Sequence, residues 1–202
     1  MTADIMAFGI SHKYASVDLR GQVAFAPELV IETLQAALTE LDLTEIALLS
    51  TCNRTEIYAI GDLNDQQWLN WLADKKQLSV GSLQDCYYCY RNEKAVRHMI
   101  CVASGLDSLV VGEPQIFGQI KSAYSVAQKA ETVKAQLNVA FQWAFAVAKR
   151  VRSETAIGKN PVSVAYASVV LAEQIFSDLK AARALLIGAG ETIELVARHL
   201  RD

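Results

Sequence analysis

Apolar and polar positions change rhythm several times along this chain. "DIMAFGI" (residues 4–10) is a compact apolar run that stops at the polar "SHK", the pattern of a buried strand. After a loop, "PELVIETLQAALTEL" (27–41) opens with Pro27 at a first helical position and repeats Leu29, Leu34, Leu38 and Leu41 at roughly helical spacing. "EIALLS" (45–50) and "TEIYAI" (55–60) read as strands, and the four residues "TCNR" between them make a hairpin. "NDQQWLNWLADKKQL" (64–78) predicts a helix, with Asn64 as its N-cap and Trp68, Leu69, Trp71 and Leu72 along one stripe. "CYYCY" (86–90) is rich in strand formers. The order is β-α-β-β-α-β, an α+β, ferredoxin-like split βαβ. It puts Cys52 at the tip joining the second and third strands.

From Asn92 onward the period is helical: 92–104, 114–130, 134–154 and 161–179. The insert "GLDSLVVGEPQ" interrupts it with Gly105, Asp107, Gly112 and Pro114, a loop of the kind that carries function. At the end, "ARALLIGAGETIELVARHLRD" reads as a strand (Leu185 to Ile187), a glycine turn and a helix. That fits equally a plain strand-turn-helix and the start of a Rossmann-like dinucleotide fold, in which glycines let backbone amides and a helix N-terminus approach a pyrophosphate. The signature is partial, because Ile193 stands at the third glycine position of GxGxxG. The expected division is a domain over 1–155, a connecting helix over 156–182, and the beginning of a nucleotide-binding unit over 183–202.

Composition narrows the class. With 202 residues, 52% hydrophobic and 20% charged, the chain is globular and helix-rich, with room for more than one domain. No apolar run approaches the roughly 20 residues that span a bilayer, and the N-terminus carries no basic flank, so a cytoplasmic location without membrane attachment is expected. Four cysteines in a chain of this length are not a disulfide framework. A net charge of −3 argues against holding nucleic acid by bulk electrostatics. Between Lys121 and Glu154 six bases face two acids, a pattern that suits a solvated helix face and leaves room for a local nucleic-acid patch at Lys149, Arg150 and Arg152.

Among residues that could do chemistry, Cys52 is the most suggestive. Arg54 favours its thiolate electrostatically, and the backbone amides of a tight turn could receive an oxyanion. The local pattern equally fits an inert thiol in a turn. Cys86 and Cys89 form a CxxC, but zinc needs about four ligands and a strand points the two thiols to nearly opposite faces, so both read as structural. Cys101 sits in an apolar helical stripe and reads as core. His12 and His98 stand where they could serve proton transfer, and a structural role fits each as well. His199 lies in the terminal segment. No metal site is expected.

Taken together, "GISHKYASVDLR", "LLSTCNRTEIY", "RHMICVASGLDSLVVGEPQIFGQIKSAY", "AVAKRVRSET" and "LLIGAGETIELVARHL" resemble the glutamyl-tRNA reductase family, in the right order from about residue 5 to the end. The resemblance implies NADPH-dependent reduction of glutamyl-tRNA(Glu) to glutamate-1-semialdehyde, the first step of five-carbon tetrapyrrole (porphyrin) biosynthesis. Cys52 would be the nucleophile that forms a thioester, and His98 matches a histidine important for activity. Thr51, Asn53, Arg54, Ser108, Glu113, Pro114, Gln115 and Gln119 would line the substrate pocket, with Arg54 on the side-chain carboxylate. Gly188, Ala189, Gly190, Glu191, Thr192 and Ile193 would form the nucleotide turn.

The resemblance further implies a homodimer for full-length members, and a downstream aminomutase or a regulatory protein as partner. It covers only the beginning of the family's cofactor domain, so this chain alone is expected to lack hydride transfer while retaining a slow esterase reaction. The rival expectation is a non-catalytic module that binds tRNA or a regulator.

Overall fold

A computed structural model describes residues 4–158, 164–176, 179 and 182–201. Its centre is a four-stranded antiparallel sheet in the order β2-β3-β1-β4, built from β1 (Asp4–Ser11), β2 (Glu45–Ser50), β3 (Arg54–Gly61) and β4 (Tyr87–Arg91). Facing residues in an antiparallel pair share a side of the sheet. Phe8 therefore shares one side with Ile57 and Cys89, while Gly9 shares the other with Glu56 and Tyr88.

Helix α3 (Asp65–Lys76) covers the first side, where Trp68 stacks on Phe8 with ring centroids 5.6 Å apart. The second side lies under α4 (Glu93–Ser104) and α6 (Ala135–Glu154), and Phe141 meets Tyr58 edge-on at 5.6 Å. Strands buried on both sides read as unbroken apolar runs rather than alternations, which is how β1 and β2 stand in the sequence. Around β2 pack α2 (Val30–Glu40) and α5 (Gln115–Lys129).

Local chemistry sets the element ends. Asn64 and Gln67 exchange side-chain to backbone hydrogen bonds of 2.9 Å each, a capping box that starts α3 as expected. The buried Glu45 carboxylate accepts from the amides of Lys134, Gln136 and Leu137 at 2.6, 2.8 and 3.0 Å, placing an anion at the N-terminus of α6. Thr132 shields the outer edge of β2: its carbonyl accepts from Ile46 N at 2.8 Å, and its hydroxyl donates to Ile46 O at 2.8 Å.

Four expectations change. The stretch after β1 holds a short helix, α1 (Val17–Val23), capped by Ser16, whose hydroxyl accepts from Leu19 N at 3.2 Å. The helix expected from Pro27 begins as a 3-10 turn, Pro27–Leu29, before α2. Arg54 belongs to β3, so the link is Thr51, Cys52 and Asn53 alone. The strand expected at Leu185 to Ile187 does not form, and Leu185 and Ile187 are 84% and 81% exposed. A strand needs a neighbour for its amides and carbonyls, and none of the described residues supplies one. The expected helix over 161–179 is seen as α7 (Val164–Ile175), which packs on α8 (Glu191–Arg201); residues 161–163, 177 and 178 lie outside the described residues.

Candidate active site

Thr51, Cys52 and Asn53 are tied down from three directions. Thr51 Oγ1 accepts from the amides of Asn53 and Arg54 at 3.2 Å each, and Thr51 N donates to Arg54 O at 2.8 Å. His12 N donates to Asn53 O at 2.9 Å. From α1, Arg20 Nε donates to Cys52 O at 3.3 Å while Arg20 Nη1 donates to Ala15 O at 2.7 Å. Cys52 is left exposed on a braced turn. Of the turn amides, those of Asn53 and Arg54 are occupied by Thr51.

Behind the turn lies a buried polar network that grows from strand alternation. Arg54, Glu56 and Tyr58 project to one side of β3. Arg54 Nη1 donates to Glu56 Oε1 at 2.6 Å, both side chains being 1% exposed. Glu56 also accepts from the hydroxyls of Tyr58 and Tyr88, and its Oε1 lies 2.9 Å from His98 Nε2. Gly9 makes room for this row. A Cβ there would come within 2.7 Å of the Tyr88 hydroxyl and 2.9 Å of Glu56 Cγ. Burial opposes ionisation of Glu56, but the His98 hydrogen bond, the Arg54 charge and the tyrosine hydroxyls outweigh it and hold the carboxyl well below the usual range.

The second wall is the insert between α4 and α5. Gly105 ends α4 at φ 78°, Gly112 turns back at φ 87° with its amide on Gly105 O at 2.8 Å, and Asp107 bonds Arg54 Nη2 at 3.1 Å and pairs with Lys13. From α6, Arg152 Nη1 reaches the carbonyls of Ser104, Gly112 and Glu113 at 3.4, 3.3 and 3.4 Å. Arg152 is therefore a brace for this loop rather than part of a solvated basic face. Arg150 pairs with Glu154 on that surface at 3.1 Å.

The two walls enclose a cavity of about 340 Å³. It is lined by Thr51, Cys52, Asn53, Arg54, Ser108, Glu113, Pro114, Gln115 and Gln119, together with Ile116, Ala165, Thr192 and Leu195. Ser108 Oγ is buried without a partner, and the side chains of Asn53, Glu113, Gln115 and Gln119 make no hydrogen bond within the described residues. Ser108 is buried whereas Gln115 and Gln119 are exposed, so unpaired polar groups from the floor to the rim of the cavity offer partners to a polar ligand.

His98 does not line the cavity. It is packed between Tyr88 and Tyr90, with ring centroids 5.1 and 4.9 Å away, and reaches the site only through Glu56. Of the nucleotide-turn residues, Thr192 borders the cavity. Gly188 has φ 127°, and a Cβ there would lie 3.3 Å from Ile193, whereas Gly190 faces open space. Such a turn, followed by the N-terminus of α8, fits the close approach of a pyrophosphate. Cys89 faces Phe8, and burial, with Asp65 adding, pushes its thiol up to about 12. Among the described residues no group of three His, Cys, Asp or Glu side chains could hold a metal ion, and no helix is long and apolar enough to cross a membrane.

Glu56, Asp107 and Arg20 were not anticipated as site residues. Glu56 had a signal, its two-residue spacing from Arg54 on a strand. Arg20 had none, because the loop hides its distance from Cys52.

A family model described as glutamyl-tRNAGlu reductase, N-terminal domain, matches residues 8–155. The chain belongs to that family. Relatives named glutamyl-tRNA reductase include one from Saccharophagus degradans, 58% identical over 98% of this chain and 47% of its own length. Another, from Teredinibacter turnerae, is 59% identical over 98% of this chain and 48% of its own length. The solved structure of glutamyl-tRNA reductase from Methanopyrus kandleri matches with TM-score 0.69 and 34% identity, covering 100% of this chain and 47% of that one. The chain thus spans about half the length of the relatives it matches. A second model, described as shikimate / quinate 5-dehydrogenase, matches residues 170–202, where the family's resemblance placed the nucleotide turn.

Proposed function

We propose that this chain carries the acyl-transfer site of a glutamyl-tRNA reductase, with Cys52 as the nucleophile. One observation carries the reading: a single cavity gathers the exposed Cys52 thiol, the Arg54 guanidinium and several unpartnered polar side chains from distant parts of the chain. The Cys52 thiolate attacks the ester carbonyl of glutamyl-tRNA, the carbon–sulfur bond forms, the ester bond to the terminal ribose breaks, and the proton ends on the ribose hydroxyl. Arg54 Nη2 serves both the carbonyl and the carboxylate of Asp107, while Nη1 keeps a second hydrogen beyond the one given to Glu56, and that hydrogen suits the substrate's side-chain carboxylate.

His98 acts as a positioning residue, orienting Arg54 through Glu56. Gly188 to Ile193 would hold the pyrophosphate of a nicotinamide dinucleotide, NADPH in the family. When bound, that group supplies a hydride, for which the thioester is a suitable acceptor. We read the sheet order as the ferredoxin-like split βαβ, with the hairpin tip presenting Cys52, and the setting as cytoplasmic. A homodimer, an aminomutase or a regulator as partner belongs to the same reading. The binding-module alternative is weakened by the internal engagement of Arg152.

Incubating the chain with glutamyl-tRNA should add one glutamyl mass to Cys52, and Cys52→Ser should add none. Arg54→Lys should lower the rate for glutamyl-tRNA far more than for an uncharged acyl ester. Tight, salt-dependent tRNA binding without any adduct would favour the binding module instead.

A further inference from the structure

A second groove, about 570 Å³ in volume, adjoins the Cys52 cavity, and Gln115 and Gln119 line both. Its apolar lining includes Val30, Leu48 and Val126, and Ser50, two residues before Cys52, lies in its wall. Along α5 the wall is Gly118 and Ser122. A glycine in mid-helix weakens the helix, and here the fold gives no steric reason for one, since a Cβ at Gly118 would meet nothing within 4 Å. The open space at Gly118 belongs to the groove.

We propose that this groove seats the terminal adenosine of the aminoacyl-tRNA whose acyl group enters the Cys52 cavity; the inference rests on the acyl-transfer reading above. The chemistry demands a neighbouring seat, because the bond that breaks joins the acyl carbon to the terminal ribose. The nucleoside must lie beside the thiol but outside the acyl cavity. Gln115 and Gln119 stand at that border with no side-chain hydrogen bond of their own. A carboxamide offers a donor and an acceptor side by side, which matches the N6/N7 edge of adenine, and an apolar floor suits the face of a base.

The test compares two acyl donors, the glutamyl 3′-ester of adenosine and glutamyl methyl ester, by mass gain at Cys52 of the full chain. Gly118→Leu and Ser122→Leu fill the groove without touching the acyl cavity, and leucine favours helix at position 118. Both variants should slow acylation by the adenosine ester about tenfold or more, comparable to losing one stacked base, and leave the methyl ester within about twofold. An unchanged rate with the adenosine ester, or equal losses with both esters, overturns the adenosine seat. If neither ester acylates the unaltered chain, the acyl-transfer reading fails and takes this inference with it.

Discussion

The body over residues 4–158 and the segment over 164–201 are both more than half apolar in sequence and treat those residues differently. In the first, Phe8, Ile57, Trp68 and Phe141 are at most 1% exposed. In the second, Leu171, Ile175, Phe176, Leu185 and Ile187 are all more than half exposed. The difference lies in partners rather than composition. The four strands of the body bury both faces under helices, whereas "ALLIG" finds no strand to pair with among the described residues. Apolar residues become a core only where backbone pairing lets them converge.

Four substitutions would break or sharpen that contrast. Phe141→Ala should cost the most, about 4 kcal/mol, because the ring packs on Tyr58, Tyr124 and Phe145 in a closed interior; urea titration followed by tryptophan fluorescence measures it. Glu56→Gln should cost about 3 kcal/mol by leaving buried Arg54 undercompensated. It should also change the acid response. The Glu56 carboxyl is held below its unfolded value of 4.5, so the unfolded chain takes up its proton first as pH falls. The stability it contributes is complete above that pH and drains below it, and the urea midpoint of the Gln variant should depend less on pH between about 5 and 3.

Arg152→Met should cost about 1–2 kcal/mol, since three carbonyls lose one cation. Its sharper readout is a raised KM for glutamyl-tRNA with little change in salt dependence; a reduced salt slope would return Arg152 to a tRNA-facing surface. Leu185→Ser should fall within about 0.5 kcal/mol of the unaltered chain. A larger loss in the same titration would mean that this segment is buried in solution.

The sequence by itself determined most secondary elements of the body, α1 excepted, because they are written locally. Alternation and apolar runs mark β1 to β4, the 3.6 period marks α3 to α6, and Asn64 marks a cap. It also determined most of the cavity lining, since Thr51 to Arg54 and Ser108 to Gln119 lie in compact motifs that the family resemblance names together. Only the tertiary structure decided how those motifs are held. Arg20 meets Cys52 across 32 residues, Arg54 meets Asp107 across 53, and Arg152 braces a loop some 40 residues away. Such contacts depend on strand order and helix placement, which no local window encodes. The structure also set His98 outside the cavity, on the far side of Glu56, and left "ALLIG" unpaired. A strand is a relation between two segments, and the sequence of one segment states only half of it.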